Sequence, residues 1–361
     1  MKVAFDVGPL AGPRTGIGNA VDHLHSALSA RDDVRLIDYL ISYRASGGRA
    51  SKLPIPALVA HRLWQVAGHP RADRWLDPFD LIHGTNYVVP PSIKPRLVSV
   101  YDCWFLQQPQ LASASVRRSG RVLLRSLSQG AHAHVSSQAT AEALAHFAPQ
   151  ATIHVGYLGA LPLPAPSEDV ALPELVGRPY VLAIGTIERR KNLPHLVRSF
   201  GIVAKLLPDL HLVLAGTPSD DSIQVRAAID QLGPTLSHRV LMTGRISESA
   251  RGWLIRHATA VAYPSLNEGF GFPLLDAMQA GVPIVASTAG SIPEIAGDAA
   301  VLVDPADQNQ LAEAMSSVVV DDALRARLID AGSQRWTQFG WAESAEQMAN
   351  IYRCAMNGVG S

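Results

Sequence analysis

The chain has 361 residues, enough for about two domains, and 47% of them are hydrophobic, ample for packed cores. Formal charge is balanced, with 31 Lys and Arg against 31 Asp and Glu, and residues 1–170 carry +4 against −4 for the remainder; no basic run is dense enough to neutralise a nucleic-acid backbone. Two cysteines, Cys103 and Cys354, are too few for a disulfide scaffold or a thiolate metal centre, and no apolar run approaches the roughly 18 residues of a membrane span.

The opening "MKVAFDVGPL" has one lysine and a short apolar run ended by Asp6, which reads as a first strand and not as a secretion signal. With so few cysteines, a reduced cytosol is the expected setting. The next stretch, "GPLAGPRTGIGNAV", leads into a helix. Gly16-Ile-Gly18 begins like a dinucleotide fingerprint, with Asp38 about twenty residues on, but the third glycine would fall at position 21, where the chain has Val21. Two readings remain: a plain loop, or one whose backbone N–H groups approach an anion because only glycine lets the main chain come that close. The second makes Gly16 and Gly18 ligand contacts.

Further strands are predicted near 34–40, 79–83, 96–101, 132–136 and 152–156. Residues 44–75 and 116–128 mix Arg with Leu, Val and Trp. The spacing of Val116, Leu123, Leu124 and Leu127 most simply gives a core-facing helix with a solvated basic face; an anionic or lipid-linked acceptor surface is the sharper alternative. His132, His134 and His146 do not form a metal-ligand pattern, since "AHAHVSS" reads as a strand and a helix start. A Pro-rich, weakly periodic stretch over roughly 157–178 has the look of a connector.

Beyond it, apolar runs alternate with helical patterns: "YVLAIG" then 192–207, "HLVLAG" then 219–232, "RVLMTG" then 247–257, "AVAYP" then 273–280, and "PIVAS" then 292–297. Such alternation predicts βαβ units on a parallel sheet. The fold class is therefore α/β, with two Rossmann-like domains facing a cleft: 1–165, 166–338, and a C-terminal helix in 339–361 that would pack back on the first domain. Ligands of such sheets bind beyond the carboxyl ends of the strands.

Two loops after strands carry the chemistry. In "AIGTIERRKNLPHLVRSF", Glu188, Arg189, Arg190 and Lys191 stand at the entrance of a helix, where cations are disfavoured by roughly 0.3–1 kcal/mol; a multiply charged anionic ligand removes that conflict. In "AYPSLNEGFGFPLLDAMQAGVP", a Gly-rich turn holds Glu268 and a helix opens with Pro273, which loses nothing there by lacking an N–H. A helix N-terminus suits a phosphate, Gly269 and Gly271 let the main chain crowd a sugar, with Phe270 and Phe272 beside them, and Asp276 can reach ribose hydroxyls. Glu268 and Asp276 would thus bracket a nucleotide-diphosphate sugar, with Arg190 and Lys191 on its diphosphate.

The stretches "NEGFGFPLLDAM", "GTIERRKN" and "SIPEIAGDAAVLVDP", and more weakly "TGIGN", "DLIHGTNYVVPP" and "VSSQATAEAL", resemble the retaining glycosyltransferases of family four, which have the GT-B fold. The resemblance implies that Glu268 contacts the transferred sugar, Asp276 holds the ribose, and Arg190 and Lys191 stabilise the leaving diphosphate. Asp276 stands where that family has Glu. "VSVYDCWF" puts Tyr101 and Asp102 where it has His-Asp, so Tyr101 takes the place of an imidazole near the sugar.

The resulting expectation is a hexosyltransferase that works with retention, with GDP-mannose the favoured donor and a hydroxyl of a glycan, lipid-linked or small-molecule acceptor as its partner. A lipid-linked acceptor would place the protein at the inner face of a membrane. No Asp-x-Asp triplet occurs, so neither a metal nor a resident cofactor is expected. A nucleotide-sugar epimerase or hydrolase, or a catalytically silent sugar-nucleotide binder, would use the same donor site.

Overall fold

The computed structural model describes residues 1–12, 15–41, 50–165 and 172–357. The start of the Arg-rich stretch at 44–49 and the middle of the connector at 166–171 lie outside the described residues. Two compact units divide the chain: Met1–Gly159 together with the chain from Phe339 on, and Ala160–Gln338.

The strands of the first unit are β1 (Lys2–Asp6), β2 (Arg35–Ile41), β3 (Ser51–Leu53), β4 (Leu81–Gly84), β5 (Arg96–Val100), β6 (His132–Val135) and β7 (Ile153–Val155). Its helices before the connector are α1 (Gly16–Ser29), α2 (Ala57–Val66), α3 (Trp104–Gln107), α4 (Ala114–Ser128) and α5 (Gln138–Phe147). All its strand pairs are parallel, in the order β3-β2-β1-β4-β5-β6-β7. Both faces are covered, as a parallel sheet requires: Val3 and Phe5 of β1 turn one way, toward Val21, Leu24 and Leu28 of α1, and Ala4 turns the other way, into a core with Trp64, Val98 and Leu123.

In the second unit, β8 (Tyr180–Ile184), β9 (His211–Ala215), β10 (Val240–Gly244), β11 (Ala260–Tyr263), β12 (Ile284–Ser287) and β13 (Ala300–Val303) pair in parallel in the order β10-β9-β8-β11-β12-β13. The helices α6 (Leu193–Leu206), α7 (Ser222–Gln231), α8 (Pro234–Ser237), α9 (Glu248–His257), α10 (Phe272–Ala280), α11 (Ile292–Ala296), α12 (Gln308–Val320) and α13 (Asp322–Arg335) connect and flank them. Each sheet begins at a central strand, grows to one side and then reverses to grow to the other. This doubly wound order opens a crevice at the reversal, between β8 and β11 in the second unit. The alternation in the sequence therefore predicts the fold class correctly. The structure adds β3, β13, α12 and α13. The two strands are three and four residues long, too short to display a period of two, and α13 buries only Leu328 and Gly332, which leaves little apolar stripe to read.

The last helix, α14 (Trp341–Met356), lies against α1 in the first unit, burying Ala345, Met348, Ala349 and Tyr352 with Phe5, Leu24 and Leu97. A buried hydrogen-bond chain also ties it to the sheet. Tyr352 Oη is 2.8 Å from His83 Nδ1, His83 Nε2 is 2.8 Å from Ser99 Oγ, Ser99 Oγ is 2.9 Å from His134 Nδ1, and His134 Nε2 is 2.9 Å from the Gly156 carbonyl. With both imidazoles neutral, the carbonyl, which can only accept, fixes every direction: His134 Nε2 donates to Gly156, Ser99 donates to His134, His83 Nε2 donates to Ser99, and Tyr352 donates to His83. Burial pushes the pKa of His134 down to about 4 and that of His83 well below its ordinary value.

Candidate active site

The basic loop follows β8 and the acidic loop follows β11, so both lie at the carboxyl ends of the two strands flanking the switch point. Arg189–Lys191 forms one 3-10 turn, ended by Asn192 at φ 56°. That left-handed residue holds the turn in place: its side-chain amide donates to the Pro305 carbonyl at 2.9 Å and the Pro264 carbonyl at 3.3 Å. Leu266 N–H donates to the Arg190 carbonyl at 2.7 Å, stitching the two loops together.

Glu268 lies between the two cations. Lys191 Nζ donates to its Oε1 at 2.6 Å, and Arg190 donates to its Oε2. The second guanidinium nitrogen of Arg190 reaches Glu188 Oε1 at 2.6 Å, and Lys191 also donates to Tyr263 Oη at 3.1 Å. The electrostatic conflict expected at the start of α6 is thus partly relieved inside the protein, by carboxylates facing the cations. Burial alone would raise the Glu268 pKa, but the charges of Lys191 and Arg190 outweigh it and hold the carboxyl at about 2. Lys191 responds in the opposite sense: burial lowers its pKa, and Glu268 only partly compensates.

Behind Glu268, Gly290 is at φ +58°, and a Cβ there would lie 2.6 Å from the Glu268 carbonyl oxygen, so only glycine lets the β12 loop support the acid. Ser291 N–H donates to that carbonyl at 3.0 Å, and Ser291 Oγ donates to the Phe270 carbonyl at 3.0 Å. Gly271, at φ 108°, turns the chain into α10, whose N-terminus carries a partial positive charge. Gly269 and Phe270 are buried, and the Phe270 and Phe272 rings meet edge to face at 5.2 Å.

Asp276 lies on α10 with a side chain 6% exposed. Its Oδ2 accepts from Arg251 Nη1 of α9, and Arg251 Nε donates to Glu248 at 2.9 Å. Oδ1 is buried without a hydrogen-bond partner among the described residues. Burial pushes the Asp276 pKa up to about 6 against the opposing charge of Arg251. Buried polar atoms are almost always paired, so an orphaned carboxylate oxygen beside a loop that suits phosphates is what a site awaiting ligand hydroxyls would show. Arg251 has no signal in the sequence: it is 25 residues from Asp276, and its pairing with Glu248 at i,i+3 looks like an ordinary surface contact.

The remaining sequence-predicted residues belong to the first unit. Gly16 and Gly18 open α1, and the Gly18 N–H donates to Thr15 Oγ1 at 3.1 Å as the helix cap. Tyr101 and Asp102 follow β5. Tyr101 is 8% exposed, its ring edge to face with Tyr87 at 6.0 Å, and burial pushes its hydroxyl pKa up. Asp102 Oδ1 accepts the Trp104 N–H at 3.1 Å. At the end of β1, sequence reasoning missed Asp6: it is 7% exposed, accepts the Gly8 N–H at 2.8 Å, and burial lifts its pKa to about 7. Among the described residues no group of three or more His, Cys, Asp or Glu could hold a metal ion.

Two sheets of this winding in one chain, the second carrying its charged loops at the switch point, match the GT-B fold. Residues 167–335 match the family described as "Glycosyl transferases group 1". Over 98% of its length the chain is 28% identical to the whole of the O-antigen chain mannosyltransferase B of Escherichia coli. It is 25% identical to the phosphatidyl-myo-inositol mannosyltransferase of Mycobacterium leprae, covering 90% of this chain and 86% of that one. The sucrose-phosphate synthase of Thermosynechococcus elongatus shares the fold, with a TM-score of 0.75 at 20% identity over 99% of this chain and 100% of the other. The chain thus has the GT-B fold, and residues 167–335 carry the likeness to a glycosyltransferase family.

Proposed function

We propose that the protein is a metal-independent, retaining hexosyltransferase using a nucleoside-diphosphate sugar, with GDP-mannose as donor and a hydroxyl of a glycan, lipid-linked or small-molecule acceptor as the receiving group. The observation that carries this reading is the placement of Glu268 between Arg190 and Lys191 at the carboxyl ends of β8 and β11. On donor binding, the diphosphate oxygens take over the two cations, and Glu268 turns to the hydroxyls of the transferred sugar. Asp276 Oδ1 accepts from the ribose. Arg190, Lys191 and the α10 terminus stabilise charge growing on the leaving diphosphate, the term that dominates reactions of this kind. In a retaining transfer of this type the acceptor hydroxyl approaches on the face the diphosphate leaves.

Mannose is favoured because two relatives spanning most of the chain are named as mannosyltransferases, and a lipid-linked acceptor because one is named for a phosphatidyl-myo-inositol substrate. A cytoplasmic protein working at the inner membrane face follows from such an acceptor. Incubation with a panel of nucleotide sugars, with and without candidate acceptors, tests the whole reading. Free nucleotide appearing only with GDP-mannose and an acceptor supports it. Release without acceptor makes the protein a hydrolase, a changed sugar on intact nucleotide makes it an epimerase, and binding without turnover makes it a silent binder.

A further inference from the structure

Arg251 and Asp276 meet in a way that the mere fastening of α9 to α10 does not explain. A guanidinium facing a buried carboxylate can take both oxygens on two parallel N–H groups. Here it takes one. Arg251 Nη1 donates to Asp276 Oδ2, Nε is turned away to Glu248 Oε2 at 2.9 Å, and Oδ1 is left buried without a hydrogen-bond partner among the described residues. The Arg251 side chain is 15% exposed and that of Asp276 6%, against 68% for Glu248. A surface acid therefore sets the rotation of a largely buried guanidinium, and that rotation withholds a second N–H from Asp276. Ser247 caps α9, accepting the Ala250 N–H at 3.1 Å, so Arg251 stands in the first turn, where the helix dipole disfavours a cation. Glu248 and Asp276 supply its counter-charge. Well-packed apolar side chains would join two helices at least as firmly as a buried ion pair, so stability alone does not account for the arrangement.

We propose that Arg251 is a positioning residue for the donor, clamping Asp276 through Oδ2 so that Oδ1 is held still, ionised and unpaired for a ribose hydroxyl. Glu248 is the outer end of the same clamp. The proposal rests on the ribose contact given above and adds the group that makes it effective. The charge of Arg251 opposes the effect of burial on Asp276, whereas Glu248 adds to it; these are the charged groups facing that carboxyl among the described residues.

Calorimetry of GDP binding to the full chain, from acid to mildly alkaline pH and with 2′,3′-dideoxy-GDP as the control, tests it. Wild-type affinity should fall as Asp276 is protonated near pH 6, a step the dideoxy nucleotide lacks. In Arg251→Gln the lost opposite charge should move that step up by roughly one to three pH units, so that GDP binds about tenfold more weakly at neutral pH and recovers as pH rises. Arg251→Lys should return the step toward its wild-type place. Glu248→Gln, on an exposed side chain, should move it the other way, to lower pH. A loss in Arg251→Gln that is the same at every pH, or a step unmoved in both Gln variants, would overturn the proposal and leave the ribose contact standing. If Arg251→Gln does not fold, Glu248→Gln decides alone: a downward step supports the clamp, and no movement or an upward one overturns it. Dideoxy-GDP bound as tightly as GDP and with the same step would overturn the ribose contact itself, and no GDP binding by the wild type would overturn both.

Discussion

Glu268 and Lys191, 77 residues apart in sequence, meet at 2.6 Å with Arg190 on the other carboxylate oxygen. The proposed catalytic acid and the two cations proposed to bind phosphate therefore form one nearly dry cluster. Glu268→Gln leaves those two cations without their shared counter-charge. Removing one partner of a buried pair costs about 3–5 kcal/mol, so the variant should melt well below wild type. It should also lose far more in kcat than in affinity for GDP, which lacks the transferred hexose that Glu268 is proposed to contact. A variant with wild-type melting and turnover would show the cluster to be incidental.

In the proposed mechanism, Arg190→Ala and Lys191→Ala each remove charge that matters most as the diphosphate departs. By analogy with loss of one oxyanion donor, kcat should fall by about 10²–10³ in either. Transfer by the wild-type enzyme should persist in excess EDTA. Activity lost on chelation and restored by magnesium or manganese would contradict a mechanism in which the protein supplies the positive charge.

Asp276 supplies a pH test. Its pKa is raised to about 6, so the carboxylate that would accept ribose hydroxyls is progressively protonated as pH falls below that value. GDP affinity should decline below about pH 6, and Asp276→Asn should remove that step. A hydrogen bond to a charged group contributes about 1.5–3 kcal/mol, so the variant should bind GDP roughly 10- to 100-fold more weakly at neutral pH, raising donor KM with kcat little changed. For stability the sign reverses: between the unfolded carboxyl pKa and about 6 the folded state binds the extra proton, so this group stabilises the fold more as pH falls through 6.

The Tyr352–His83–Ser99–His134 chain has the opposite acid response. Both histidines titrate below their unfolded value, so the unfolded state binds more protons and stability from these groups is lost as pH falls below about 6.5. Tyr352→Phe removes the donor to His83 Nδ1 and strands a buried acceptor, at a cost of about 1–3 kcal/mol. Denaturant melts of wild type and variant at neutral pH measure this. An unchanged midpoint would mean that the chain does not fasten α14.

The sequence by itself determined what short-range physics controls. Alternating apolar runs and helical periods specified two parallel α/β units, because a parallel strand covered on both faces must be continuously apolar. The loop after β8 had to present Arg190 and Lys191, and the one after β11 had to present Glu268 ahead of a helix bearing Asp276, since strand, turn and helix start are written within a few residues. Short edge strands such as β3 carried no such pattern. The tertiary structure alone decided the pairings across distance: Glu268 with both cations, Arg251 with Asp276, and Tyr352 with His83 across 269 residues. Those contacts depend on strand order and on which faces the helices cover, and neither leaves a local trace in the chain.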